Sequence, residues 1–252
     1  MERKITMVGD RVYRPAGWWT PTVHALLEHL HAVGFDRVPT PLGVVGGREV
    51  LTLIPGESGA AGWAKVVPDR GLRAFARLLR DYHQAVREFV PPADAHWALS
   101  YPRSATGDVV CHGDFGPWNV VWNGLDPVGL LDFDFAGPAD PLYDVAYALE
   151  YAAPFRSDTE ALRRLGFAAP PDRRRRIEVF ADEYGLADTG GLVDAVVERQ
   201  RLDAVNVVAL AERGLEPQRG WVRDGYLDEL ADRVRWSRDN RQILMRPDRP
   251  TA

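Results

Sequence analysis

Between His112 and Asp134 the chain sets out side chains whose types and spacing suit phosphoryl transfer. His112-Gly113-Asp114 is followed after four residues by Asn119, and 13 residues beyond Asn119 comes Asp132-Phe133-Asp134. Moving a phosphoryl group from ATP to a hydroxyl requires an acid that orients and deprotonates the hydroxyl, and hard oxygen ligands that hold Mg2+ on the phosphates. An acid, four spacers and an asparagine, on a loop returning into a strand, can bring a base and a metal ligand close together. Asp132, in a strand expected over 128–133, can close the metal site from the other side, and period-two alternation places Asp134 on the same strand face.

The charge pattern agrees. The chain has 252 residues and a net charge of -5, with 31 Lys+Arg against 36 Asp+Glu, and its lysines are Lys4 and Lys65 alone. From Asp108 to Glu150 there are eight acidic residues and no lysine or arginine. Carboxylates crowded in this way repel one another unless they lie on a solvated face or gather around a divalent cation, and the spacing favours Mg2+ as the counter-charge. Net acidity argues against a nucleic-acid partner. The run Arg173 to Arg176 is expected to solvate the first turns of a helix. One cysteine, Cys111, forbids a disulfide framework and suggests the cytoplasm. No apolar run reaches the ~18 residues that span a bilayer, and no signal peptide follows Met1, so no membrane partner is expected.

The elements that must position these residues read as follows. Residues 3–8 and 11–14 form a hairpin around Gly9-Asp10, and 42–45 and 48–54 form another around Gly46-Gly47. Between them Thr20 is the expected N-cap of a helix with Pro21 at its first position and Val23, Leu26, Leu27, Leu30 and Val33 on one face. After the breaker Pro55-Gly56 the pattern turns helical over about 72–89. Short strands follow at 109–111, 120–122 and 128–133, and then helices at about 142–153, 172–184, 190–213 and 220–238. Residues 246–252 read as a frayed tail. The expected domains are an N-terminal lobe with a hinge, 1–57, and a larger C-terminal lobe, 58–252.

HGDxxxxN, then LDFD, then Gly137-Pro138-Ala139-Asp140-Pro141-Leu142-Tyr143-Asp144 resembles the aminoglycoside phosphotransferase and choline kinase-like family. The resemblance implies an α+β, two-lobed protein-kinase-like fold with a small β-rich lobe and a mainly helical one. It implies ATP or GTP with Mg2+ as cofactors, and a small-molecule hydroxyl acceptor such as an aminoglycoside or a metabolite. Position by position, Asp114 matches the family's catalytic aspartate, and Asn119 and Asp132 its metal ligands. His112 shapes the loop, Asp144 braces it, and Asp134 is an accessory acid. Leu53 and Ile54 match the adenine-binding hinge. Val12 is placed to pack on the base, and Arg14 stands where the family carries its phosphate-gripping lysine.

Two departures qualify the match. The chain begins about where the family's second strand should start, so either the start codon is misassigned or the nucleotide is held by an abbreviated, more open lobe. In addition, Arg14 replaces the lysine, and its acidic partner on the first helix is not obvious, with Glu28 a conceivable one. A rival expectation is therefore a non-catalytic nucleotide-binding or scaffold protein that keeps the fold. No GxSxG elbow, HExxH or P-loop pattern occurs, which disfavours serine hydrolase, metalloprotease and P-loop chemistries.

Overall fold

Gly9, at φ 59°, lets a tight turn fold Thr6–Val8 (β1) back onto Arg11–Pro15 (β2). Thr20–Ala32 (α1) then intervenes before Pro41–Val45 (β3) and Arg48–Thr52 (β4), which turn at Gly46-Gly47. These strands make one antiparallel sheet in the order β1-β2-β4-β3, so β2 and β4 are central. The computed structural model describes residues 5–102 and 107–244. The expected strand start at Arg3 and the tail from Arg246 lie outside them. Helix α1 buries Val23, Leu26, Leu27 and Leu30, a spacing that keeps one face toward the core. Thr20 is the first helical residue and not the cap; its Oγ1 instead accepts the Gly17 N–H at 2.9 Å.

Beyond the sheet come Gly62–Lys65 (α2) and Asp69–Ala85 (α3), which buries Leu72, Phe75, Leu78, Leu79 and Tyr82. Val109–Cys111 (β5), Val120–Asn123 (β6), Asp126–Leu130 (β7) and Gly137–Ala139 (β8) pair as two ribbons, β5 with β8 and β6 with β7. The strand expected over 128–133 stops at Leu130, because the Leu131 N–H bonds the Asn119 carbonyl and Asp132 adopts φ 62°. A short 3-10 turn, Phe133–Phe135, follows. Asp132 and Asp134 therefore do not alternate along a strand, and their proximity has another cause.

The remaining chain is helical: Leu142–Ala152 (α4), Asp158–Arg164 (α5), Arg173–Tyr184 (α6), Leu192–Glu212 (α7), Gln218–Arg223 (α8), Tyr226–Asp239 (α9) and Arg241–Leu244 (α10). The helix expected over 220–238 is two, interrupted at Gly225, whose φ of 85° suits glycine. The arginine run is not all solvated. Arg173 and Arg176 are buried and donate to the carbonyls of Pro154, Arg156, Ala152 and Val67, while Arg174 and Arg175 are exposed. Helical periodicity turns the first and fourth members of the run inward, where carbonyls at and beyond the end of α4 and before α3 accept them. Among the described residues no helix is long and apolar enough to cross a membrane.

Candidate active site

The loop from β5 to β6 carries His112, Asp114 and Asn119, and α4 holds its start. Asp144, fully buried in the first turn of α4, accepts the N–H groups of His112 at 2.6 Å and Gly113 at 2.9 Å. Its third partner is His83 Nε2 at 3.1 Å, and His83 Nδ1 in turn lies 2.7 Å from the Tyr184 hydroxyl. Burial acts to raise the Asp144 pKa, yet the hydrogen bonds from His83 and Gly113 prevail and hold it below the ordinary carboxylate value. His112 is spent on structure. Its Nε2 donates to the Leu131 carbonyl at 2.8 Å and its Nδ1 accepts the Asp114 N–H at 3.3 Å, a pattern that fits neutral imidazole. Burial pushes its pKa down, in agreement with that form.

Gly113 stands at φ 81°, and a Cβ there would come 1.9 Å from the Phe135 carbonyl oxygen. Glycine at this position thus lets the loop pass directly against the 3-10 turn that follows Asp132. Asp114, next in sequence, accepts Asn119 Nδ2 on its carboxylate at 2.8 Å, and the same nitrogen donates to the Asp114 carbonyl at 2.9 Å. Burial pushes the Asp114 pKa up to about 6; the hydrogen bonds from Tyr147 and Asn119 oppose this, and the charge of Asp132 adds to it. A carboxyl near neutrality can accept a proton from an alcohol and release it later. With Nδ2 of Asn119 committed to Asp114, Oδ1 is the atom left to face a cation.

Asp132 and Asp134 converge on Arg14. From β2 its Nη1 donates to Asp132 Oδ1 at 2.7 Å, its Nη2 to Asp134 Oδ1 at 2.9 Å and its Nε to Glu49 Oε1 at 2.6 Å. Trp19 Nε1 also donates to Asp134, at 3.0 Å. The acidic partner of Arg14 is therefore Glu49 on β4 and not Glu28, which is exposed on α1; α1 contributes His24, whose Nε2 lies 3.0 Å from Glu49 Oε2. Arginines from outside the acidic segment supply much of its counter-charge: Arg14 for Asp132 and Asp134, Arg70 for Asp126 and Arg156 for Glu150. Part of the counter-charge expected from Mg2+ thus comes from arginines that lie elsewhere in the sequence. The Asp132 side chain is 39% exposed, the most accessible of the three carboxylates that Arg14 meets.

Val12 shares the β2 face of Arg14 and pairs in register with Leu51. The Leu53 N–H bonds the Asp10 carbonyl at 2.8 Å, so that donor is already used, and the Ile54 side chain lies where a Cβ on Gly129 would meet it at 2.9 Å.

Beside Asp114 opens a cavity of about 460 Å3, bounded by Trp63, Trp118, Tyr147, Arg199 and Trp221 among others. Sequence reasoning missed several of these. Tyr147 and Tyr151 follow Asp144 at i+3 and i+7, which puts them on the helix face that serves the loop, a signal that was available. Arg199, fully buried on α7, donates to the Gly113 carbonyl at 2.9 Å and lies over the rings of Tyr143 and Tyr147 at 4.1 and 4.2 Å. Within Glu198-Arg199-Gln200-Arg201 nothing in the sequence distinguishes the buried arginine from its exposed neighbour. Trp122 is fully buried, whereas Trp118 is partly exposed and lines the cavity.

A model of the phosphotransferase enzyme family matches residues 94–179. The trifolitoxin immunity protein of Rhizobium leguminosarum bv. trifolii is 35% identical over 201 residues, covering 77% of this chain and 75% of that protein. Among solved structures, the GDP and kanamycin complex of APH(2″)-IIIa is similar with a TM-score of 0.58 at 17% identity, over 92% of this chain and 88% of that one. The amicoumacin kinase hAmiN, in complex with AMP-PNP, Ca2+ and Ami, is similar with a TM-score of 0.57 at 13% identity, over 93% and 86% of the two chains. These likenesses show a kinase-like α+β fold.

Proposed function

The chain belongs to the phosphotransferase enzyme family, and from that premise we propose that it transfers the γ-phosphoryl group of ATP or GTP to a hydroxyl of a small molecule. The observation that carries this is the Asp114 carboxylate, with a pKa of about 6, bonded to Asn119, near Asp132 and open to a cavity. The acceptor oxygen attacks the γ-phosphorus as the bond from that phosphorus to the β–γ bridging oxygen breaks. The electron pair leaves with the nucleoside diphosphate, and the hydroxyl proton passes to Asp114. Asn119 holds Asp114 by two hydrogen bonds from one nitrogen, which fixes the carboxylate before substrate arrives.

The donor set fits a divalent cation of the hard type: the Asn119 amide oxygen and the outward oxygen of Asp132, with Asp134 nearby. Mg2+ bound there would neutralise phosphate charge. The base would dock between residues 1–57 and 58–252, on Val12 and on the backbone of Leu53 and Ile54, through the Leu53 carbonyl because its N–H serves Asp10. Structural relatives with GDP or AMP-PNP and Ca2+ support a nucleotide and a metal here.

A second reading, a nucleotide-binding or scaffold protein without turnover, is favoured by one observation: Nε, Nη1 and Nη2 of Arg14 are all spent on carboxylates. The two readings part in one experiment. Purified protein with ATP or GTP and Mg2+ is screened for phosphate transfer to hydroxyl compounds, beside Asp114→Ala. Transfer that is lost in the variant while nucleotide binding persists supports the enzyme; undiminished transfer in Asp114→Ala overturns the role of Asp114. Nucleotide binding with no transfer to any acceptor supports the scaffold.

A further inference from the structure

The cavity beside Asp114 has aromatic walls. Trp118 lies 4.8 Å from Trp63 and 4.7 Å from Tyr151 between ring centroids, and Trp221 on α8 lies 5.1 Å from Tyr226 on α9. Trp63 and Trp118 are only partly buried and Trp221 is 41% exposed, so ring surface remains for a ligand. Flat apolar walls of this kind recover both area burial and ring–ring contact when an aromatic body enters. At about 460 Å3 the space is that of a drug-sized molecule.

Aromatic cavities also receive organic cations, and the charges decide between the two. Three tyrosine faces of the wall are already covered by the chain's own guanidinium groups, which also set a positive charge beside the tryptophans. Arg156 lies 4.9 Å over Tyr151, Arg199 lies 4.2 Å over Tyr147 and Arg233 lies 5.5 Å over Tyr226. The carboxylates that would attract a cation are likewise taken. Asp203 is paired with Arg199, and Glu160 with Arg156 at 3.0 Å. Two cations remain weakly engaged. Arg233 has its nearest carboxylates, Glu150 and Glu229, each at 3.9 Å, and Arg164, exposed at the end of α5, has no ion pair within 4.0 Å among the described residues.

We infer that this cavity selects an aromatic hydroxyl compound bearing a carboxylate, its ring against Trp63 and Trp118 and its carboxylate toward Arg164, and that it rejects polycations such as aminoglycosides. The inference rests on the phosphotransferase reading only in taking the Asp114 end as the reacting end. A polyamine entering here meets one unpaired carboxylate, Asp114, amid Arg156, Arg164, Arg199 and Arg233. A carboxylate instead finds donors that can bind it in a fork.

The test is calorimetric and needs no turnover. The full chain is titrated with 6-(hydroxymethyl)-2-naphthoate, its amine counterpart 6-(aminomethyl)-2-naphthalenemethanol, the saturated decalin carboxylate of the same outline, choline and kanamycin. The naphthoate is expected to bind at least about tenfold more tightly than each of the others, the scale of one charge-assisted contact. Arg164→Glu, on an exposed helix end where folding is not at stake, is expected to weaken the naphthoate about tenfold and leave the amine unchanged or improved. Trp63→Leu is expected to abolish the preference for naphthalene over decalin. Tighter binding of kanamycin or choline, an unaltered naphthoate affinity in Arg164→Glu, or no naphthoate binding at millimolar concentration overturns the inference. Selective binding of the naphthoate without phosphate transfer to it, or to any other acceptor, would instead count against the phosphotransferase reading and leave the selectivity standing.

Discussion

Arg14 and Glu49 face one another in register across β2 and β4, and Nε of the first donates to Oε1 of the second at 2.6 Å. The same guanidinium reaches Asp132 and Asp134, more than a hundred residues away in sequence, while Glu49 also meets His24 of α1. One side chain thereby ties the four-stranded sheet, its helix and the turn after β7. Burial acts to lower the Arg14 pKa, but Asp134, Asp132 and Glu49 together more than offset it and keep the cation charged.

Removing that cation should be costly. Arg14→Met leaves three carboxylates facing one another, and Glu49 and Asp134 are almost fully buried. An uncompensated buried charge of this kind costs about 3 kcal/mol. The expected outcome is a melting temperature several degrees lower in metal-free buffer, with a larger upward shift on adding millimolar Mg2+ than the parent protein shows, because Asp132 is then released to the metal. Equal melting temperatures for the two proteins in metal-free buffer would contradict the clamp.

Asp114→Asn separates function from stability. The amide keeps the hydrogen-bonding outline but cannot accept a proton, so transfer should fall by about 10²- to 10⁴-fold while nucleotide affinity changes little. The folded-state pKa of Asp114 is raised to about 6, which means that its ionised form is held at a cost above that pH. Part of that cost is screened where the carboxylate meets the cavity. The variant should therefore be more stable than the parent at pH 8, by about 1 kcal/mol, and lose that advantage as the pH falls below 6. Chemical unfolding at both pH values checks the sign.

The same pKa sets the acid limb of turnover. Only ionised Asp114 can take the acceptor proton, so kcat/KM should be flat above about pH 6 and fall about tenfold per pH unit below it. A profile measured with any accepted substrate decides this. A limb near pH 4 would place the base in a more solvated setting than the one seen beside Asn119 and Tyr147.

The loop chemistry was legible because it is local. Asp114, Asn119 and Asp132 sit at fixed spacings on a short stretch, and the hairpins and the face of α1 follow from Gly pairs and helical period. What was not legible depends on long-range pairing. Glu49 meets Arg14 only because β2 and β4 are neighbours in the sheet, and Arg199 reaches Gly113 from 86 residues away. The end of β7 at Leu130 was hidden for a related reason: Asp132 is polar enough to tolerate left-handed backbone, but nothing in LDFD announces it. The arginine run misled because period three turns Arg173 and Arg176 toward buried carbonyls that no sequence pattern marks.

Asp144 offers the strictest test of how the loop is held. It is fully buried, accepts two backbone N–H groups and is bonded by His83. In Asp144→Asn the amide NH2 must turn either to a loop N–H, leaving a buried donor unmade, or to His83 Nε2, which requires the other imidazole tautomer; in both cases the charge-assisted bonds to the loop are lost, at a cost of about 1 to 3 kcal/mol near pH 7. His83→Leu keeps the carboxylate and its two backbone bonds but strands Tyr184, and should cost less, about 1 to 2 kcal/mol. Because the folded-state pKa of Asp144 lies below its ordinary value of 3.8, its contribution is fully present above that value and is lost as the pH falls through the carboxylate range. The gap in unfolding free energy between parent and Asp144→Asn should therefore be constant from pH 7 to about 5 and narrow steadily below pH 4. A gap that widened on acidification would mean that Asp144 is protonated in the folded protein, and would overturn the ionised carboxylate as the brace of the loop.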